Sequence, residues 1–136
     1  VIRLVVLLIL VAAAIVIALV LQRRRPDPPA APSYRAPTQL DRDDFARPDA
    51  PCLAVVFAST TCNTCPEVWA LVEPYGDDRL AVQRVDVQDD GVLHERYRID
   101  GVPTTILADA QGVVEAAFFG PMPPEELERA IAGLRS

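Results

Sequence analysis

Cys62 and Cys65 stand three apart in STTCNTCPEVW, residues 59–69 of a 136-residue chain, and they are the residue types in it best suited to chemistry. Such a pair can exchange disulfides, supply half of a metal site, or lie inert as two buried thiols. A structural zinc site takes four ligands, typically two such pairs. From residue 51 onward only Cys52 and His94 could complete it. A c-type haem needs histidine directly after the second cysteine, and Pro66 stands there. The redox reading rests on position. A helix that starts directly after a buried strand offers unpaired N–H groups and the positive end of its dipole, so a thiolate forms readily there. Cys62 falls at such a junction, and one turn of helix puts Cys65 on the same side. Cys62 is then the nucleophile, and Cys65 is placed to attack a mixed disulfide and release the product. Spacing and context favour redox chemistry; two inert thiols stay open as the alternative, although a helix start after a strand is a poor place to hide both.

The elements that must position the pair follow from patterning. CLAVVFA (52–58) is a short apolar run, the mark of a strand buried on both faces. In CPEVWALVEPY, Val68, Leu71 and Val72 keep helical spacing, and Pro74 closes the helix. LAVQRVDV (80–87) alternates as a strand, and GVLHERYRI (91–99) reads as a short helix. TTILAD (104–109) and VVEAAFF (113–119) are strands joined by AQG, which suits a tight hairpin. PPEELERAIAGL (123–134) is a helix with prolines at its start and Glu125 and Glu126 in its first turn. The order is β-α-β-α-β-β-α, an α/β fold. The first two strands, linked through a helix, should run parallel, and the last two should form an antiparallel hairpin.

Upstream, Leu4 to Leu21 is an 18-residue stretch without one polar side chain. As a helix it spans about 27 Å, close to the ~30 Å hydrocarbon core of a bilayer. A buried core helix would keep a polar side for water, and this one has none. A cleaved signal peptide would carry its charge before a shorter apolar run; here Arg3 alone precedes the run and Arg23, Arg24 and Arg25 follow it. Residues 1–25 are therefore expected to be a transmembrane anchor with a basic flank, held in the membrane through residues 4–21. The arginine-rich flank favours a cytosolic body, with an extracytoplasmic body as the alternative. Residues 26–50 hold six prolines and read as an extended spacer, with QLDRDDF (39–45) as a short turn or edge strand before the 51–136 body. That body carries six arginines against fourteen acids, a net −8, which repels phosphate backbones and argues against nucleic acid as a partner. Three cysteines are too few for a disulfide-stapled scaffold.

Residues 51–136 resemble the thioredoxin superfamily. The resemblance rests on CNTCP after a buried strand, VDV (85–87) ending the next strand, and YRIDGVPTT (97–105) further on. GVPT is similar to the family's cis-proline segment. The resemblance implies a central mixed sheet, a cis Val102–Pro103 bond beside the cysteines, and substrate pairing through the backbone of Val102. It further implies that Pro103 keeps metal off the thiols; no metal or other cofactor is expected. Asn63 and Thr64, between the thiols, join Val102 and Pro103 as expected substrate contacts. Two departures matter. Thr61 precedes Cys62 where thioredoxins carry tryptophan, and Asn63-Thr64 replaces their Gly-Pro. The family's buried aspartate, six positions before the first cysteine, is Val56 here, which leaves Cys65 without that proton acceptor.

These features point to a membrane-tethered thiol–disulfide oxidoreductase that reduces protein or small-molecule disulfides and draws on an unidentified electron donor. The alternatives are thiol exchange outside the cytosol, in maturation of exported proteins or cytochromes, and a non-catalytic binding module, against which the intact cysteine pair argues. Cys52 starts the first strand, ~20 Å from its far end at ~3.3 Å per residue, too distant for a disulfide with Cys62 and expected to be a buried filler. His94, beside Glu95 and Arg96, is expected to be a solvated surface residue. Trp69, Tyr75 and Tyr97 read as packing residues.

Overall fold

A computed structural model describes residues 1–23 and 35–136. The apolar segment and the body form two separate compact units. Helix α1 (Ile2–Arg23) is long and apolar enough, over Ile2–Val20, to cross a membrane. Its side chains from Ile2 to Val20 are exposed, as an element that buries no face within its own unit must leave them.

The body is built on β1 (Cys52–Ala58), α2 (Cys65–Val72), β2 (Leu80–Asp86), α3 (Gly91–Arg96), β3 (Thr104–Asp109), β4 (Val114–Phe119) and α4 (Pro124–Arg135). The sheet order is β2-β1-β3-β4. β1 and β2 are parallel, and β1–β3 and β3–β4 are antiparallel. This is the thioredoxin-like α/β arrangement with a mixed sheet that the sequence led us to expect.

All seven residues of β1 are buried because both of its faces are covered. Alternate residues supply two cores, as the two-residue period of a strand requires. Leu53, Val55 and Phe57 face one core with Phe45, Leu93, Tyr97 and Ile106. Cys52, Ala54, Val56 and Ala58 face the other, with Val68 and Val72 of α2, Leu107 of β3, and Leu127 and Ile131 of α4. α3 is capped by the Asp90 side chain, which accepts from the Leu93 N–H at 3.2 Å. After α2 the chain tightens into a 3-10 turn, Glu73–Tyr75, with Pro74 at its centre.

Two expectations are corrected. The 26–50 segment is not a spacer throughout: its stretch 26–34 lies outside the described residues, but from residue 38 onward it packs onto the body. Leu40 and Phe45 are core residues. Gln39 bridges to Val113, and the Leu40 N–H donates to the Gly112 carbonyl at 2.8 Å. Gly112 has a φ of 81°, and a Cβ there would sit 2.0 Å from the Leu40 carbonyl oxygen, so the hairpin turn needs glycine for both reasons. A 3-10 turn, Arg42–Asp44, follows, and it carries a buried arginine. The Arg42 guanidinium donates to the carbonyls of Ala50 (2.9 Å), Asp109 (3.0 Å) and Arg47 (3.1 Å). The apolar signal in this segment is only two large side chains apart by five positions, too sparse to show periodicity.

His94 is the second correction: it is 6% exposed, not solvated. Its ring meets the edge of Phe57 with centroids 5.2 Å apart, and Nε2 lies 2.8 Å from the Val85 carbonyl. A carbonyl can only accept, so the proton sits on Nε2. Leu93 and His94 turn toward the sheet together, while Glu95 and Arg96 carry the polarity outward.

Candidate redox site

β1 ends at Ala58, and a loop of six residues leads into α2. Cys62 lies in that loop and Cys65 is the first residue of the helix, so the pair sits one turn earlier than the sequence reading placed it. Thr64 is the N-cap position but supplies no capping bond from its side chain, and Pro66 occupies the first turn, where its missing N–H costs no helical bond. The end of α2 that carries unpaired N–H groups therefore adjoins the cysteine loop.

The two sulfurs are bonded, with Cα atoms 5.5 Å apart. The two residues differ in burial: Cys65 is fully buried among the α2-side core residues, and Cys62 is half-buried against them. The Thr64 hydroxyl lies 3.7 Å from Cys62 Sγ. Asn63 is exposed.

The loop is held from its base. The Cys62 N–H donates to the Ser59 carbonyl at 3.2 Å. Ser59 Oγ lies 3.0 Å from Thr61 Oγ1 and accepts from the Gln88 side-chain amide at 2.8 Å. The carbonyl end of that amide accepts from the Thr60 N–H at 3.0 Å. Gln88 thus ties the cysteine loop to the segment after β2. Sequence reading missed Gln88, since a glutamine in QDDG between elements looks like any solvated turn residue.

Thr104 pairs with Phe57, so Pro103 enters β3 at the end of the sheet from which the cysteine loop leaves β1. The Val102–Pro103 peptide bond is cis. Pro103 is buried and its carbonyl accepts from the Gly120 N–H at 2.8 Å. Val102, with Gly101, Pro103, Thr104, Phe119 and Gly120, lines a cavity of about 250 Å³. Val56 is fully buried in the same core as Cys65, and its register partner across the sheet is Thr105. Cys52, at the other end of β1, is buried and unpaired, with Sγ 3.7 Å from the Leu134 carbonyl. Trp69 and Tyr75 pack against the α2-side core. Tyr97 is a core residue whose hydroxyl donates to Asp44 at 2.5 Å. Burial opposes ionisation of Asp44, but that hydroxyl and the Arg96 guanidinium outweigh it and hold the carboxyl below the usual range.

No sequence-family profile matches the chain, and no curated protein matches it in sequence. Solved structures do. A mutant thioredoxin from Halobacterium salinarum is similar at 25% identity and a TM-score of 0.59, covering 80% of this chain and 97% of that one. The germline-specific thioredoxin Deadhead from Drosophila melanogaster matches at 22% identity and a TM-score of 0.58, covering 74% of this chain and 99% of its own. A malarial protein matches at 20% identity and a TM-score of 0.53, over 63% and 99%. These likenesses and the paired Cys62 and Cys65 together support a thiol–disulfide redox role in general. The body of this chain has the thioredoxin superfamily fold.

Proposed function

We propose that the chain is a membrane-tethered thiol–disulfide oxidoreductase with Cys62 as nucleophile and Cys65 as resolving thiol. The observation that carries the roles is the difference in burial between the two bonded residues: Cys62 is half-buried, and Cys65 is fully buried behind it. In the dithiol form the Cys62 thiolate attacks a substrate disulfide, forms a mixed disulfide and expels the first substrate thiolate. The Cys65 thiolate then attacks Cys62 Sγ, expels the second substrate thiolate and closes the Cys62–Cys65 bond. Two electrons pass to the substrate, two protons end on its thiols, and a dithiol donor restores the pair. Val102 and Pro103, at the same end of the sheet, and Asn63 and Thr64 beside the sulfurs are assigned to substrate contact.

In the full chain supplied with dithiol, Cys62→Ser should abolish reduction of a small disulfide. Cys65→Ser should accumulate a mixed disulfide on Cys62, visible as added mass. Cys52→Ala should turn over normally, since it lies at the far end of β1. Equal turnover in Cys62→Ser and the unaltered chain refutes the assignment.

Helix α1 is assigned as the anchor and the body to the cytosol. Supporting this are the apolar length of Ile2–Val20 and three arginines after the span against Arg3 before it. A reducing pool would there keep the pair as dithiol, ready to donate electrons. A reporter fused after Ser136 tests it. A fluorescent C-terminal green fluorescent protein without activity of a parallel alkaline phosphatase fusion supports the assignment. Phosphatase activity without fluorescence overturns it and places the exchange chemistry outside.

A further inference from the structure

Three buried side-chain polar atoms lack a hydrogen-bond partner among the described residues: Arg42 Nε, Arg135 Nε and Thr105 Oγ1. The two arginines bond through their other nitrogens. Thr105 has only the one hydroxyl, and the residue is 0% exposed. An unsatisfied buried hydroxyl is destabilising, and valine fills nearly the same volume without that cost. Adjacent Thr104 satisfies its own hydroxyl on the Gly101 carbonyl at 2.6 Å, so strand geometry at this point does not forbid a partner.

The position of Thr105 shows what the hydroxyl could serve. It stands opposite Val56 in the β1–β3 register, and residues directly opposite share a face of the sheet. Val56, and Leu107 two places along β3, belong to the core that encloses Cys65. The hydroxyl is therefore in the apolar layer where the buried sulfur must ionise. In the oxidised form that sulfur is bonded to Cys62 and carries no charge. In the dithiol form it becomes a thiolate, and the valines of that core, Val56, Val68 and Val72, carry no side-chain hydrogen-bond donor. Ser59, the buried hydroxyl of the cysteine loop, is already engaged by Thr61 and Gln88.

We propose that the Thr105 hydroxyl donates a hydrogen bond to Cys65 Sγ in the dithiol form, directly or across one bound water. This rests on the reading of Cys65 as the resolving thiol. Thr105 accepts no proton. As Cys65 ionises, its proton passes to solvent and the hydroxyl hydrogen turns to the new thiolate. When Cys65 then attacks Cys62 Sγ, the charge moves to the departing substrate sulfur and the hydroxyl is again left without a partner. Thr105 is thus a positioning residue that stabilises one step of the cycle at a cost in the other.

The test uses the full chain in detergent micelles, with Thr105→Val to delete the hydroxyl and Thr105→Ser to keep it; Thr105→Ala carries the same test should the valine variant fail to fold. The first readout is titration of Cys65 in the dithiol chain, followed by the carbon shift of its Cβ, which needs no substrate. Thr105→Val should titrate about one pH unit higher, and Thr105→Ser close to the unaltered chain. The second readout is the rate at which a glutathione mixed disulfide on Cys62 is resolved. It should be about tenfold slower in Thr105→Val near neutral pH and converge with the unaltered chain at alkaline pH, where Cys65 is ionised in both. Coincident titration curves for Thr105→Val and the unaltered chain overturn the proposal, as does an equal shift in Thr105→Val and Thr105→Ser, which would mark a packing effect. A chain that exchanges with no disulfide refutes the redox function itself, while the Cys65 titration still decides the role of Thr105.

Discussion

Gln88→Ala should loosen the cysteine loop while leaving the sheet beneath it intact. The substitution removes two bonds, from the side-chain amide to Ser59 Oγ at 2.8 Å and from the Thr60 N–H to the side-chain carbonyl at 3.0 Å. A neutral bond of this kind contributes about 0.5–1.5 kcal/mol net. Thr60 is exposed, so water replaces its lost acceptor and that bond counts at the low end. Ser59 is buried but keeps Thr61 Oγ1 at 3.0 Å, so its hydroxyl is not orphaned. The sum is about 1–2 kcal/mol of local stability, a factor of about 5–30 in the population of the opened loop. Amide hydrogen exchange on the oxidised full chain reads this directly. The Cys62 N–H, which donates to the Ser59 carbonyl at 3.2 Å, should exchange about 5–30-fold faster. Amides in the middle of β1, such as that of Val56, should keep their protection. An unchanged Cys62 amide refutes the role given to Gln88, and equal acceleration in loop and strand shows that the bonds stabilise the whole body instead.

Arg42→Met keeps the apolar stem but removes three hydrogen bonds, the one to Ala50 buried, while the Asp109 and Arg47 carbonyls keep the backbone donors Gly112 and Ala50; it should lower stability by about 2–3 kcal/mol and the melting temperature by about 10–20 °C, read by circular dichroism. A melting point within 2 °C of the unaltered chain, which is about the resolution of such a comparison, would contradict the pinning role. Asp44, whose carboxyl is held low against the opposing effect of burial by Tyr97 and Arg96, contributes stability that is full above the ordinary carboxylate range near pH 4 and lost as pH falls through its lowered value. Acid titration of the melting temperature should therefore show a smaller decline below about pH 4 in Asp44→Asn than in the unaltered chain, and parallel curves would argue against it.

Local signals in the sequence were sufficient for the elements. β1 and β3 have the bounds that CLAVVFA and TTILAD imply, and β1, covered on both faces, is apolar along its whole length. The parallel β1–β2 pair follows from a helical crossover, and the β3–β4 hairpin from a short glycine-bearing turn. The cysteine pair was legible for the same reason: Cys62 and Cys65 are close in the chain, and a local turn at the start of a helix is enough to bring the sulfurs within bonding reach. Apolar length alone likewise marks Ile2–Val20 as long enough to span a bilayer.

What the sequence could not show depends on residues far apart in the chain that meet only after folding. The Arg42 guanidinium is buried because Ala50 and Asp109 supply carbonyls around it, and no local pattern announces an arginine satisfied by backbone. His94 has polar neighbours in sequence, yet its ring meets Phe57, 37 positions earlier, and its nitrogen meets Val85 across a turn. Gln88 reaches Ser59 over 29 positions. Thr105 looks like an ordinary β-branched strand residue until register sets it opposite Val56, in the core around Cys65, with its hydroxyl unpaired. Chain-local chemistry is written in spacing. Burial and pairing of single polar groups are decided by which strands and loops come together, and that is a property of the packed sheet.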